Sequence, residues 1–221
     1  GAIEPLVAVA LVRGGSSAGA QENAAAALCD LAIDNAANQV AIAIARVGSA
    51  WGQEAAATAL SNLAGDADIR ETIAQAGAIE PLVALVRDGS SVTQESAATA
   101  LTLLAASAEN REPITRAGAI KPLVALLRGG NEGGHESAAA ALGLLADSVA
   151  NTAAIARAGA IEPLVALVRI GSAGAQEAAA LGLSSLATNA DNQAAIALAG
   201  TVEPLVTLMR LGSPLARRAA I

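Results

Sequence analysis

Two side chains in this sequence have the chemistry of a nucleophile or a metal ligand. They are Cys29, which is the one cysteine, and His135, which is the one histidine. A catalytic thiol needs a base beside it, and a zinc site needs several such ligands together. The two residues lie far apart in the sequence, and no paired carboxylates or phosphate-binding glycine loop accompany them. We therefore predict no catalytic residue, no metal and no cofactor, and we expect that the protein is not an enzyme.

Carboxylates form a regular acidic row that offers a second kind of chemistry, the attraction of lysine and arginine side chains. The row consists of Glu22, Glu54, Glu95, Glu136 and Glu177. Each glutamate stands near the start of a predicted helix, where a negative charge complements the helix dipole and its unpaired N–H groups. We favour this structural interpretation over ligand binding, and His135, which replaces a recurring glutamine, is interpreted as a surface residue.

Composition narrows the class of protein further. Of the 221 residues, 54% are hydrophobic and 15% charged, and there is no Phe or Tyr and only one Trp, Trp51. Alanine and aliphatic residues must therefore fill the core, which favours closely packed helices. The net charge of −7 argues against a nucleic-acid partner, because binding to phosphates requires clustered basic residues.

The longest stretches without a charge, 96–108 and 178–190, are 13 residues each. A membrane-spanning helix needs about 20 apolar residues, so we predict no membrane insertion. A single cysteine fits a reducing compartment, and we expect a cytoplasmic location with the nucleus as the alternative.

The sequence repeats itself with a fixed period. The phrase GAIEPLV or a close variant begins at Gly1, Gly77, Gly118, Gly159 and Gly200. The last four copies are spaced by 41 residues. A second phrase, of the type ALSNLA, keeps the same spacing at Ala59, Ala100, Ala141 and Gly182. A period of this length is typical of a helical solenoid.

Each period contains the start and stop signals of three helices. In 151–191 a short first helix is predicted to end at Gly159, since glycine terminates helices readily. A second helix begins near Ile161 with Pro163 in its first turn, and a third covers about 175–187. First helices are accordingly expected to start near Ile69, Asn110, Asn151 and Asn192. In one third helix, Ala138, Ala141, Leu142 and Leu145 form the apolar stripe expected of a packed helix.

The short helix, the glycine and the two longer helices resemble the armadillo repeat. HEAT repeats fit less well, because they are two-helix units without that glycine. The resemblance implies an all-α, right-handed superhelical solenoid in which third helices line a concave groove that binds partner proteins. We predict one solenoid domain over 1–221, with repeats at 1–37 (partial), 38–68 (shortened), 69–109, 110–150, 151–191 and 192–221 (partial).

The family's groove carries a third-helix asparagine, often with a tryptophan four residues earlier, that clamps an extended peptide. The matching asparagine positions are Asp30, Asn62, Leu103, Leu144 and Ser185, and the earlier positions include Thr58, Thr99, Ala140 and Leu181. Only Asn62 keeps the amide and none of these positions keeps the tryptophan. The resemblance therefore implies a smoother, more apolar docking groove rather than importin-like capture of basic peptides.

The second repeat and the two ends depart from the pattern. The second repeat lacks about ten residues, so either its first two helices are fused or the sequence joins across a gap. The chain opens inside a motif at Gly1, and we expect it to be a fragment of a longer chain. Apolar residues near Ile3, Leu6 and Val7, or near Leu205 and Leu208, are expected to pack end to end against another copy or a continuation of the chain.

These observations predict a protein-interaction scaffold that binds a partner protein or an extended peptide along the third-helix groove. The alternatives are a structural subunit of a large assembly and a designed repeat array without a natural ligand.

Overall fold

The computed structural model describes residues 49–211, and within that range every regular element is a helix. The helices are α1 Ala50–Ala64, α2 Arg70–Gln75 after a 3-10 turn Ala67–Ile69, α3 Ile79–Asp88, α4 Ser91–Ala105, α5 Ala108–Arg116, α6 Ile120–Gly129, α7 Glu132–Leu145, α8 Val149–Arg157, α9 Ile161–Ile170, α10 Ala173–Leu186, α11 Ala190–Leu198 and α12 Val202–Leu211. The predicted all-α solenoid of three-helix repeats is confirmed.

The chain divides into two compact units, the first ending at Ala117 and the second beginning at Gly118. In the first unit the third helices α1 and α4 pack side by side, and the second helix α3 packs against α4. In the second unit α7 packs against α10, while α6 packs on α7 and α9 on α10. Each unit thus contains a layer of third helices backed by second helices.

Glycine separates each first helix from the second helix that follows. Gly77, Gly118, Gly159 and Gly200 have φ values of 89°, 82°, 82° and 72°, which is the left-handed region that L-residues with a Cβ avoid. At one such junction the Ala160 N–H donates to the carbonyl of Ile155 at 3.3 Å, a hydrogen bond that closes the helix end. The predicted positions of these glycines and of the first-turn prolines are confirmed. The first helices α5, α8 and α11 begin two residues earlier than expected, whereas α2 begins at Arg70, one residue later than expected, after its 3-10 turn.

Third helices begin at side-chain caps that the sequence analysis did not identify. Ser49, Ser90, Asn131 and Ser172 each accept a hydrogen bond from the backbone N–H three residues later. Such a cap satisfies one of the unpaired N–H groups of the first turn.

The core between helices is built from small and aliphatic side chains. The predicted stripe of Ala138, Ala141, Leu142 and Leu145 is buried. Where α7 packs on α10, a Cβ added to Gly143 would lie 3.3 Å from the Gly182 Cα. Glycine at both positions therefore lets the two third helices pack closely here.

Candidate functional site

A groove of about 490 Å³ runs between the third helices α7 and α10. It is lined by Glu136, Ala140, Gly143, Leu144, Gly174, Glu177, Ala178, Leu181 and Ser185. Six of these positions were singled out from the sequence: Glu136, Ala140, Leu144, Glu177, Leu181 and Ser185. The structure therefore brings four of the nine predicted groove residues and two members of the predicted acidic row into one concavity.

The groove has an apolar wall with acidic side chains at its end. Leu181 is 50% exposed and Leu144 is half-buried, although both are large aliphatic residues. Glu136 is exposed and Glu177 is half-buried. An apolar ligand side chain between the leucines would leave water, while a cationic one would lie near a carboxylate. The surface therefore suits a ligand that carries both kinds of side chain.

The equivalent surface of the first unit is more polar. Thr58 and Asn62 are exposed on α1, and Thr99 and Leu103 are half-buried on α4. Thr58 Oγ1 and Ser96 Oγ are hydrogen-bonded at 3.2 Å across the two helices. This unit therefore offers hydroxyl and amide groups where the second unit offers leucines.

The described members of the acidic row do not lie in the first turns of their own helices, so the helix-dipole interpretation of these positions was wrong. Glu54, Glu95, Glu136 and Glu177 lie beyond the first turn of their own helices, whose ends are capped by Ser or Asn. Two of the carboxylates instead lie at the start of the next third helix. Glu54 Oε2 accepts from the capping Ser90 Oγ at 3.4 Å, and a Cβ on Gly174 would clash with both carboxylate oxygens of Glu136. Each of these two charges complements the positive end of a neighbouring helix and ties two repeats together.

The charged residues at the two ends of the second helices do lie where the helix dipole favours them. Glu80, Glu162 and Glu203 lie in first turns, and Arg87, Arg128, Arg169 and Arg210 lie in last turns. Two of the arginines also reach the following repeat. Arg128 Nη2 donates to the Gly159 carbonyl at 2.9 Å, and Arg169 Nη2 to the Gly200 carbonyl at 3.1 Å. These hydrogen bonds hold the end of one second helix against the junction of the next repeat.

In the first unit Arg87 pairs instead with its neighbour Asp88, at 2.8 Å between Nη2 and Oδ2. The hydrogen bond from Arg87 lowers the pKa of Asp88 below its usual value. A depressed carboxylate pKa stabilises the folded state above the unfolded pKa, and this contribution is lost as the pH falls. Both side chains are more than 60% exposed, so water screens the pair and its effect on stability is small.

A repeating set of side chains that cap the carbonyl ends of the third helices was missed in the sequence. The Nδ2 groups of Asn110, Asn151 and Asn192 donate to the carbonyls of Leu104, Leu145 and Leu186, at 3.0, 2.8 and 3.1 Å. Asn192 also donates to the Thr152 carbonyl of the preceding first helix at 3.2 Å. The period had shown these asparagines at 41-residue spacing, but they were used only as helix landmarks.

His135 lies on α7 and is half-buried rather than a surface residue. Gln94 occupies the same position on α4, and its Nε2 donates to the Val86 carbonyl at 3.0 Å. The Nε2 of His135 is buried, and it has no hydrogen-bond partner within residues 49–211. The imidazole of His135 thus stands where Gln94 has its amide, but its Nε2 does not make the hydrogen bond that joins the third helix to the second helix before it.

Several predicted residues lie outside the described part of the chain. They are Glu22 and Asp30 of the acidic row and groove, the shortened part of the second repeat before Ser49, and the apolar positions Ile3, Leu6 and Val7. At the other end, Leu208 is only 4% exposed and Leu205 is half-buried, and the expectation that this region packs against another copy or a continuation of the chain stays a prediction. Val202 and Met209 are the exposed apolar residues of that helix.

Residues 49–211 also bear on two other classes of site. No group of three or more His, Cys, Asp or Glu side chains there is placed to hold a metal ion. Nor is any helix in this range long and apolar enough to cross a membrane.

The geometry is that of an α-helical repeat protein with a groove on its third helices. The Armadillo/beta-catenin-like repeat family matches residues 66–106, 107–147 and 148–188, three consecutive repeats that cover more than half of the chain. The chain belongs to this family. The matched repeats keep the predicted 41-residue spacing and begin three residues before the predicted boundaries.

The solved structures that share this fold include engineered and designed proteins. One engineered protein has 28% sequence identity and a TM-score of 0.85, over 100% of this chain and 96% of its own. A designed armadillo repeat protein has 23% identity and a TM-score of 0.83, over 99% and 96%. Another, in complex with the peptide (KR)4, has 22% identity and a TM-score of 0.81, over 100% and 97%. No curated protein matches the chain.

Proposed function

We propose that this protein is a binding scaffold whose α7–α10 groove holds a segment of a partner protein. The observation that supports the proposal is the convergence of Ala140, Leu144, Leu181 and Ser185 on one groove with an acidic end. A partly exposed position on a helix can be occupied by a polar residue, so large aliphatic side chains there call for an explanation. Where such side chains line a concavity, they mark a binding surface.

The side chains of the groove define the class of ligand. Leu144 and Leu181 supply an apolar contact, and Glu136 and Glu177 supply negative charge beside it. The asparagine that would grip an extended backbone is replaced here by Leu144 and Ser185. The ligand is therefore selected through its side chains, and we propose a segment in which leucine-like and lysine-like residues alternate.

A comparison of two labelled peptides tests this selectivity. A designed relative is found with (KR)4, which is entirely cationic, whereas an alternating Lys-Leu peptide of the same length carries both kinds of side chain. Fluorescence anisotropy with the full chain should show tighter binding of the Lys-Leu peptide. Leu181→Lys should weaken that binding about ten-fold or more, since it removes the apolar contact and adds a repelling charge.

Leu198→Lys is the matched control, because Leu198 is 88% exposed on α11 and lies outside the groove. It should leave binding of the Lys-Leu peptide unchanged. Equal loss with the two variants would mean that the peptide binds through general charge and would contradict the groove. Preference for (KR)4 would contradict the proposed ligand class while leaving the groove in place.

We also propose that the scaffold has no catalytic activity and that it works in the cytoplasm or the nucleus. The single cysteine and the net charge of −7 support a reducing compartment and a partner other than nucleic acid. If the protein were instead a structural subunit, groove substitutions would leave partner binding intact and changes on the second helices would abolish it.

A further inference from the structure

The second helix α9 carries an exposed face whose composition differs from the other second helices. Its buried side is formed by Leu164, Leu167 and Val168, and its outer side by Glu162, Ala166, Arg169 and Ile170. Ile170 is 86% exposed. An aliphatic side chain at this position gains free energy when another surface covers it.

The 41-residue period gives three matched faces for comparison. Position 170 corresponds to Asp88 on α3 and Gly129 on α6, both of which are ordinary solvent-facing residues. Position 162 corresponds to Glu80 on α3 and Lys121 on α6, and Ala166 corresponds to Thr207 on α12. Among the described second helices whose outer side chains are defined, α9 alone combines an acid, a small central residue, a base and an exposed aliphatic residue.

The spacing on α9 makes this face complementary to itself. A line drawn through Ala166 parallel to the helix axis divides the face into two sides. With about 3.6 residues per turn, Glu162 and Arg169 lie on one side of this line, and Pro163 and Ile170 lie on the other. A two-fold axis through Ala166 that pairs α9 with an antiparallel copy places Glu162 opposite Arg169 of the second copy. The same operation places Ile170 opposite Pro163 of the second copy, and alanine at the centre lets the helices approach closely.

We propose that two copies of this chain associate through antiparallel α9 helices. The interface contains two Glu162–Arg169 ion pairs, two Ile170–Pro163 contacts and a central contact between alanines. Arg169 donates from Nη2 to the Gly200 carbonyl, and a guanidinium has five N–H donors, so the pairing leaves that bond in place. The association uses the second helices and is independent of the groove on the third helices.

The area that one helix face can bury determines how tightly the two copies are expected to associate. Stable dimers bury about 1,200–2,000 Å² in total, and a single pair of crossing helices provides less than this. The dimer is therefore weak and reversible, and sedimentation velocity with the full chain should show it at protein concentrations of about 100 µM. Twice the monomer mass at high concentration and the monomer mass on dilution are the expected result.

Charge reversal provides a sharp test. Glu162→Lys and Arg169→Glu should each raise the dissociation constant about ten-fold or more, because each homodimer then faces like charges. An equimolar mixture of the two variants restores both ion pairs and should dimerise again. Ile170→Asp should also dissociate the dimer, and Asp88 at the same position of α3 indicates that the fold accepts this residue.

Val202→Asp is the matched control, since Val202 is an equally apolar residue, 67% exposed on the next second helix. It should leave the dimer intact, and circular dichroism should show an unchanged helix content for all variants. A monomer at every concentration would overturn the proposal. So would a dimer that survives Ile170→Asp but is lost with Val202→Asp, which would locate the association on α12 instead.

Discussion

At the scale of single residues, the hydrogen bonds between helices come from side chains that repeat with the period. Gln94 joins α4 to the end of α3, and Asn110 joins α5 to the end of α4. A buried carbonyl without a donor costs about 1–3 kcal/mol, which is large against the stability of a typical domain. Substitutions at these positions therefore have effects that a helical wheel does not show.

His135→Gln is expected to stabilise the fold by about 1 kcal/mol, since the amide reaches the Leu127 carbonyl as Gln94 reaches that of Val86. The reverse change, Gln94→His, should destabilise the fold by a similar amount. Urea denaturation followed by circular dichroism measures both. If neither substitution moved the midpoint, the hydrogen bond at Gln94 would contribute nothing and the interpretation of His135 would be wrong.

Asn110→Ala should destabilise the fold by about 1–2 kcal/mol, because Asn110 is 3% exposed and caps the Leu104 carbonyl. Asn62→Ala provides the control, since Asn62 is exposed on α1 and should change stability by less than about 0.5 kcal/mol. Thermal unfolding of the two variants compares the same chemical change in two environments. Equal losses would mean that the buried amide is not a structural cap.

At the scale of helices, the ends are set by backbone conformation more than by packing. Gly118 has a φ of 82° and Gly129 lies at the end of α6, and a Cβ at either position would meet nothing within 4 Å. Gly118→Ala should therefore cost about 1–2 kcal/mol through conformation alone. Gly129→Ala should be neutral or stabilising by up to about 1 kcal/mol. Differential scanning calorimetry should show transition shifts of opposite sign, and a loss at both sites would contradict this account.

Glycine and proline made the helix boundaries predictable from the sequence, because both act through local backbone geometry. The Ser and Asn caps of the third helices are an equally local signal that was missed. The partners of the acidic row were not predictable in the same way. Glu54 meets Ser90, and Glu136 meets Gly174, in each case across the interface to the next repeat. A period identifies equivalent positions in successive repeats, but it does not show which of them touch. Six groove positions were nevertheless placed together, because residues four apart on adjacent third helices share one face.

At the scale of the whole molecule, a repeat is stabilised by the neighbours that cover it. Leu82, Leu123 and Leu164 occupy the same position on α3, α6 and α9, and all three are 0% exposed. Leu205 occupies that position on α12 and is half-buried. Within the second unit, the leucine at this repeat position is therefore fully covered on α6 and α9 but only partly covered on α12.

This difference predicts unequal costs for one chemical change. Leu164→Ala removes a fully buried side chain and should destabilise the fold by about 2–5 kcal/mol through lost burial and a residual cavity. Leu205→Ala removes a side chain that water already reaches, so the cost should be at most about half as large. Guanidinium denaturation measures both, and hydrogen exchange should show that Leu164→Ala also lowers protection in α12 of the following repeat, which packs on α9. Equal costs for the two leucines, or a loss of protection confined to α9, would mean that the repeats do not stabilise one another across their interfaces.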